Sequence, residues 1–188
     1  MSEKTRVVTG LVRLSYPNLF EPKSINGSGP KYSAAFIIPK SDKETIAKIE
    51  KAVQAALEEG KSKKFGGKIP NKATLKLPLR DGDTDRDEDP AYADAFFVNA
   101  NATKRYPPVV VDRARQEILD ESEVYSGCYV RASLGFYAFN TSGNKGVACS
   151  LRGIQKIKEG EPLGAVVNAL DDFDEVDDDF SDDDDLLA

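Results

Sequence analysis

The apolar positions of this chain mostly follow extended, β-rich runs, interrupted by one helical stretch. Arg6–Tyr16 (RVVTGLVRLSY) is rich in β-branched residues and predicts a strand. Pro17–Pro30 (PNLFEPKSINGSGP) is crowded with Pro, Gly, Asn and Ser and predicts a loop. Lys31–Pro39 (KYSAAFIIP) predicts a second strand, stopped by its proline. Beyond it the period becomes helical. Ile46, Ile49, Val53 and Leu57 recur at three- and four-residue spacing, Ser41 and Glu44 match a Ser-x-x-Glu capping box, and Gly60 offers a stop. The stripe is expected to pack a helix on a sheet.

The second half returns to period two. Lys61–Lys72 predicts a basic, glycine-containing loop, Ala73–Leu79 a short strand, and Arg80–Pro90 (RDGDTDRDEDP) an acidic loop. Asp94–Ala102 predicts a strand, and Thr103–Val111 a basic turn leading into an extended piece. The strongest β signal is Gly127–Phe139 (GCYVRASLGFYAF). The turn NTSGNKG and the return strand Val147–Ile157 make it a hairpin. Pro162–Leu170 is a weakly apolar link. Five or six strands, one helix after the second strand, and long polar loops predict a mainly β (α+β) fold. A five-stranded OB-type barrel fits this count. A β-sandwich or another α+β layout fits the same pattern.

Charge divides the chain in two. The 188 residues carry 26 basic and 32 acidic side chains, and eleven of the acids fall in Asp171–Ala188 (DDFDEVDDDFSDDDDLLA), which has no base. Without that segment 26 basic residues face 21 acidic ones, a net of +5. The expected organisation is a nucleic-acid-binding domain over 1–165 and a disordered acidic tail over 166–188. No apolar run approaches the ~20 residues of a membrane span, and the first residues lack a secretory signal, so an intracellular protein is expected. Cys128 and Cys149 read as apolar fillers in a reducing compartment. The chain has no histidine, which removes the commonest general base and metal ligand. No cofactor and no catalytic residue are expected.

The alternation in Gly127–Phe139 separates two faces. Cys128, Val130, Ala132, Leu134, Phe136 and Ala138 form an apolar face, which is core. Tyr129, Arg131, Ser133, Gly135, Tyr137 and Phe139 form the other. Three aromatics and an arginine spaced by small residues suit single-stranded nucleic acid, because bases stack on rings and cations track phosphates. Burial of this face under a loop or a second subunit is the competing reading. Basic residues accompany aromatics elsewhere: Lys31 with Tyr32, and Lys104 and Arg105 with Tyr106. Lys145 in the hairpin turn, Arg152 on its return strand and Arg80 complete the candidate interface. The acidic loop resembles an EF-hand at first, but Arg86 stands where glycine belongs and Tyr92 where the bidentate Glu belongs.

The strings RLSYPNLFEP, LRDGD, FFVNANATKRYPPVVVDR, YSGCYVRASLGFYAF and GNKGVACSLRGIQKI together resemble the phage-encoded single-stranded DNA-binding proteins of OB fold. The resemblance implies a non-enzymatic protein of the infected host's cytoplasm. It would coat single strands during replication and recombination, and its acidic tail would recruit replication or recombination partners. Tails of this kind often end in an aromatic residue, whereas this one ends Leu186-Leu187-Ala188. Phe173, Phe180 and Asp182, Asp183, Asp184 and Asp185 are the candidate regulatory residues, competing with DNA for the basic groove. A basic groove reads phosphates on single or double strands alike, and a monomer or a homodimer fits equally. Two other readings stand beside this one: an acidic interaction protein (a DNA mimic or chaperone-like factor), and a metal-dependent nuclease built on Asp81–Asp89.

Overall fold

The computed structural model describes residues 2–24, 27, 29–163 and 176. The expected tail, with Phe173, Phe180 and Asp182–Asp185, lies outside them apart from Val176. Among the described residues eight strands form: β1 (Arg6–Val8), β2 (Val12–Lys23), β3 (Lys31–Pro39), β4 (Leu79–Asp81), β5 (Ala95–Thr103), β6 (Val109–Val111), β7 (Tyr129–Thr141) and β8 (Asn144–Lys158). The main helix is α1 (Lys43–Gly60), and α2 (Gly82–Asp85) is one turn long.

The run Arg6–Tyr16 is two strands, not one. Both β1 and β2 pair antiparallel with β7, and the chain between them leaves the ladder at Thr9–Leu11. Thr9 bridges the break. Its N–H donates to the Ala132 carbonyl (2.9 Å) and its hydroxyl oxygen accepts from the Ala132 N–H (2.9 Å). The stretch Pro17–Pro30 is also not simply a loop. β2 runs through it to Lys23, with its register against β3 shifted between Ser15 and Asn18 and Tyr16 at φ 47°. A bulge can hold a proline that a regular ladder would exclude. Leu19 thereby reaches the core, at 4% exposure.

The helix starts one residue later than its capping box suggested. Asp42, not Ser41, is the cap, and its carboxylate accepts from the Thr45 N–H (3.2 Å). Ile49 and Leu57 are buried, and Ile46 and Val53 are partly buried against the core. Gly60 is not a stop but the last helical residue. A β-carbon there would lie 2.4 Å from the Ala138 Cβ, so the helix end can press onto β7 only as glycine.

The barrel closes as a ring, β2–β3–β5–β8–β7 and back to β2. Its five strands resemble the OB barrel, and α1 follows the second of them. Leu14, Phe36, Ile38, Val98, Leu134, Phe136 and Leu151 fill it, with Ile49 and Leu57 of the helix. Cys128 and Cys149 are buried and unpaired, Cys128 one residue before β7 and Cys149 on the inner face of β8. Ser142 and Gly143 turn the β7–β8 hairpin, both at positive φ as a two-residue type I′ turn requires.

The ring has one weak seam. β5 and β8 run parallel and share a single pair, Asn101 with Ser150. Three residues later β8 takes a different partner, β6, from Gly153 onward. Between the two partners Arg152 is the extra residue of a bulge, because β7 pairs Leu134 with Leu151 but Ser133 with Gly153. No helix among the described residues is long and apolar enough to cross a membrane.

Candidate nucleic-acid interface

A groove of about 680 Å³ opens at that seam. It exists because β5 and β8 part after one pair and the Thr103–Pro107 turn swings away between them. Lys31 enters from the start of β3, where it pairs with Thr103. Tyr106 and Pro107 come from the turn, Tyr137 from β7, and Ser150 and Arg152 from β8. Both tyrosines present their rings to solvent, Tyr106 at 68% and Tyr137 at 48% exposure. Partial burial, and then nearby Cys149, push the Tyr137 phenol above its ordinary pKa, so it carries no charge against phosphate at neutral pH. The Arg105 guanidinium lies 5.5 Å from the Tyr106 ring centre. Among the described residues, no carboxylate pairs with Lys31, Lys104, Arg105, Arg131, Lys145 or Arg152.

The structure thus brings Lys31, Tyr106, Tyr137 and Arg152 to one groove, with Lys104 and Arg105 in its bounding turn. Arg131 and Phe139 share the outer face of β7 on either side of Tyr137, and Phe139 is half-buried opposite Gly146. Lys145 is exposed beside the hairpin turn. In OB barrels the loops joining the first two and the last two strands reach toward nucleic acid. The corresponding connections here join β2 to Lys31 at the start of β3, and β7 to β8 just before Lys145.

Three candidates lie elsewhere. Tyr129 is at the far end of β7, half-buried, with the Lys158 ammonium 4.8 Å and the Arg13 guanidinium 5.6 Å from its ring centre. Tyr32 packs against the core. Arg80 pairs with Asp85 (3.0 Å) and lies 5.3 Å from the Phe97 ring centre. Six groove residues escaped the sequence reading: Asn101, Thr103, Pro107 and Ser150, and the buried Ala102 and Leu151. Asn101 and Thr103 carried a signal, since the outward positions of β5 read Asn-Asn-Thr instead of the usual charges.

The acidic loop has a structural use for its carboxylates. Asp81 and Asp83 hold the Lys40 ammonium at 3.0 and 2.7 Å. Asp83 also accepts from the Asp94 N–H, and Asp89 caps the turn Pro90–Tyr92. Among the described residues no carboxylate pairs with Arg86. Its guanidinium lies over Tyr92, 4.6 Å from the ring centre, with Tyr16 at 5.5 Å. Among the described residues no three His, Cys, Asp or Glu side chains gather as a metal-holding group.

Residues 5–187 match the family model described as Enterobacter phage Enc34, ssDNA-binding protein. The chain belongs to this family. The Enc34 family is one of DNA-binding proteins, not enzymes. Protein p50 of Acyrthosiphon pisum secondary endosymbiont phage 1 is 36% identical over 183 residues, covering 94% of this chain and 96% of its own. The single-stranded DNA-binding protein from bacteriophage Enc34, solved in complex with ssDNA, superposes with a TM-score of 0.74 at 26% identity, over 86% of this chain and 91% of that one. The bacteriophage T7 protein gp2.5 shares the fold at 14% identity, with a TM-score of 0.60 over 90% of this chain and 95% of its own.

Proposed function

We propose that this member of the Enc34 family binds single-stranded DNA without regard to sequence, through the groove at the β5–β8 seam. The observation that carries this reading is the pair of exposed rings, Tyr106 and Tyr137, facing one recess with Lys31 and Arg152. Bases stack on such rings for roughly 1–3 kcal/mol each, whatever their identity, and the cations meet the phosphates that follow. The role is to coat strands exposed in phage replication and recombination. The acidic tail competes for the same cations when DNA is absent and is released to partners when DNA binds. The basic balance of residues 1–170 supports that competition.

Tyr106→Ala and Tyr137→Ala each lower affinity for oligo-dT by about 1–3 kcal/mol. Binding of oligo-dT quenches tyrosine fluorescence in the unaltered protein and quenches it less in each variant. A double variant that binds oligo-dT as the unaltered protein does overturns the assignment of the groove.

A further inference from the structure

Arg152 lines a second recess as well as the tyrosine groove. The second recess holds about 370 Å³ on the outer face of the β7–β8 hairpin. The register of four strands builds it. One row crosses Val8 on β1, Ser133 on β7, Gly153 on β8 and Val109 on β6. The neighbouring row crosses Arg131 on β7, Gln155 on β8 and Val111 on β6. Ser133 and Gly153 therefore form the floor between two valine walls, Val8 and Val109, and Gln155 borders it, its amide donating to the Asp112 and Arg113 carbonyls. Both walls are open to solvent, Val8 at 49% and Val109 at 60% exposure. Gly153 keeps the floor low, since a β-carbon there would meet the Val109 carbonyl at 2.7 Å. Three arginines surround the trough: Arg131 from β7, Arg152 from β8, and Arg115 from the loop after β6. Among the described residues none of them pairs with a carboxylate.

Resting on the reading of the tyrosine groove given above, we propose that this valine-walled trough is its continuation, a second subsite for the same DNA strand. Arg152 meets the phosphate where the strand passes from one recess to the next. Bases lie on the glycine–serine floor between Val8 and Val109, and Arg131 and Arg115 take the phosphates beyond. The occupant is a polyanion with flat apolar faces because the trough sets arginines and valines around the low Ser133–Gly153 floor. Tyr137 and Arg131 are six residues apart on β7, roughly 20 Å. That length accommodates several nucleotides, within the roughly 4–16 that one OB fold covers.

The test is a length series of oligo-dT, of about 4, 8, 12 and 16 nucleotides, titrated against the full chain by fluorescence anisotropy. Two variants are used. Arg115→Asn removes a charge at a residue whose φ of 64° asparagine tolerates, and Val109→Glu places a carboxylate on an exposed wall. In the unaltered protein affinity rises with length beyond the shortest oligomer. In both variants that rise shrinks, with about tenfold weaker binding of the longer oligomers and little change for the shortest. Equal loss at every length, or no loss at any, overturns the proposal. So does a fall in oligomeric state on sedimentation of Val109→Glu, which would make the valines a contact between copies of this chain. The Tyr106 and Tyr137 variants are scored separately: their failure removes the groove, whereas a flat length profile removes only the trough.

Discussion

Lys40 shows how much one side chain settles here. Its ammonium holds Asp81 and Asp83 and lies 5.3 Å from the Phe96 ring centre, pinning the acidic loop to the end of β3. The Lys40 hydrogen bond, and then the Asp94 N–H, hold the Asp83 carboxyl below its ordinary pKa. A carboxylate depressed by folding favours the folded state above its unfolded pKa, and that contribution is lost as pH falls through the depressed value. The Asp83 titration followed by NMR should therefore have its midpoint below the ordinary 3.8, and Lys40→Met should move it upward. An unmoved midpoint removes Lys40 as the cause. The same scale shows where sequence reasoning works and where it stops. Alternation along β7 placed Tyr137 on the outer face correctly, because a strand's period is fixed by its backbone. Alternation placed Tyr129 on that face too. It could not show that Arg13 and Lys158, distant in sequence, would flank the ring.

The elements were mostly legible wherever one period ran uninterrupted, as in α1 and the β7–β8 hairpin. The extension of β2 past Pro17 was not, because its bulge hides the alternation and its composition is that of a turn. The seam was not legible either, since the pairing of Asn101 with Ser150 is set by ring closure and not by any local pattern. The contact of α1 with β7 is open to a direct check. Gly60→Ala puts two β-carbons on one site, and overpacking of this kind costs about 1–3 kcal/mol. Combining it with Ala138→Gly should restore much of the loss in urea unfolding, apart from glycine's own cost in a strand. Additive losses in the double variant would mean that the two residues do not meet.

At the scale of the whole chain, the question is whether the acidic tail can reach the groove. The last described residues before it are anchored at the wrong end of β7. The Leu163 N–H donates to the Ser126 carbonyl, and Arg13 donates to the Glu161 carbonyl (2.6 Å) beside Tyr129. From Tyr129 to Tyr137 is roughly 27 Å along the strand. The ten residues from Leu163 to Phe173 extend to about 36 Å at most, and Phe180 has more chain still. Distance therefore permits competition by either phenylalanine. Removing residues 171–188 should tighten oligo-dT binding at low salt, and the difference should shrink as added salt screens the tail. Unchanged or weaker binding at low salt would end the competition model.

The two cysteines give the barrel a reporter of its own. Both are buried, Cys149 inside the hairpin whose outer face carries Tyr137 and Arg152, and burial drives the Cys149 thiol far above its usual pKa. A thiol must ionise to react, so a thiol reagent added to the closed protein finds almost nothing to attack. Its rate of labelling then times the opening of the hairpin, and DNA bound across the outer face should slow that clock.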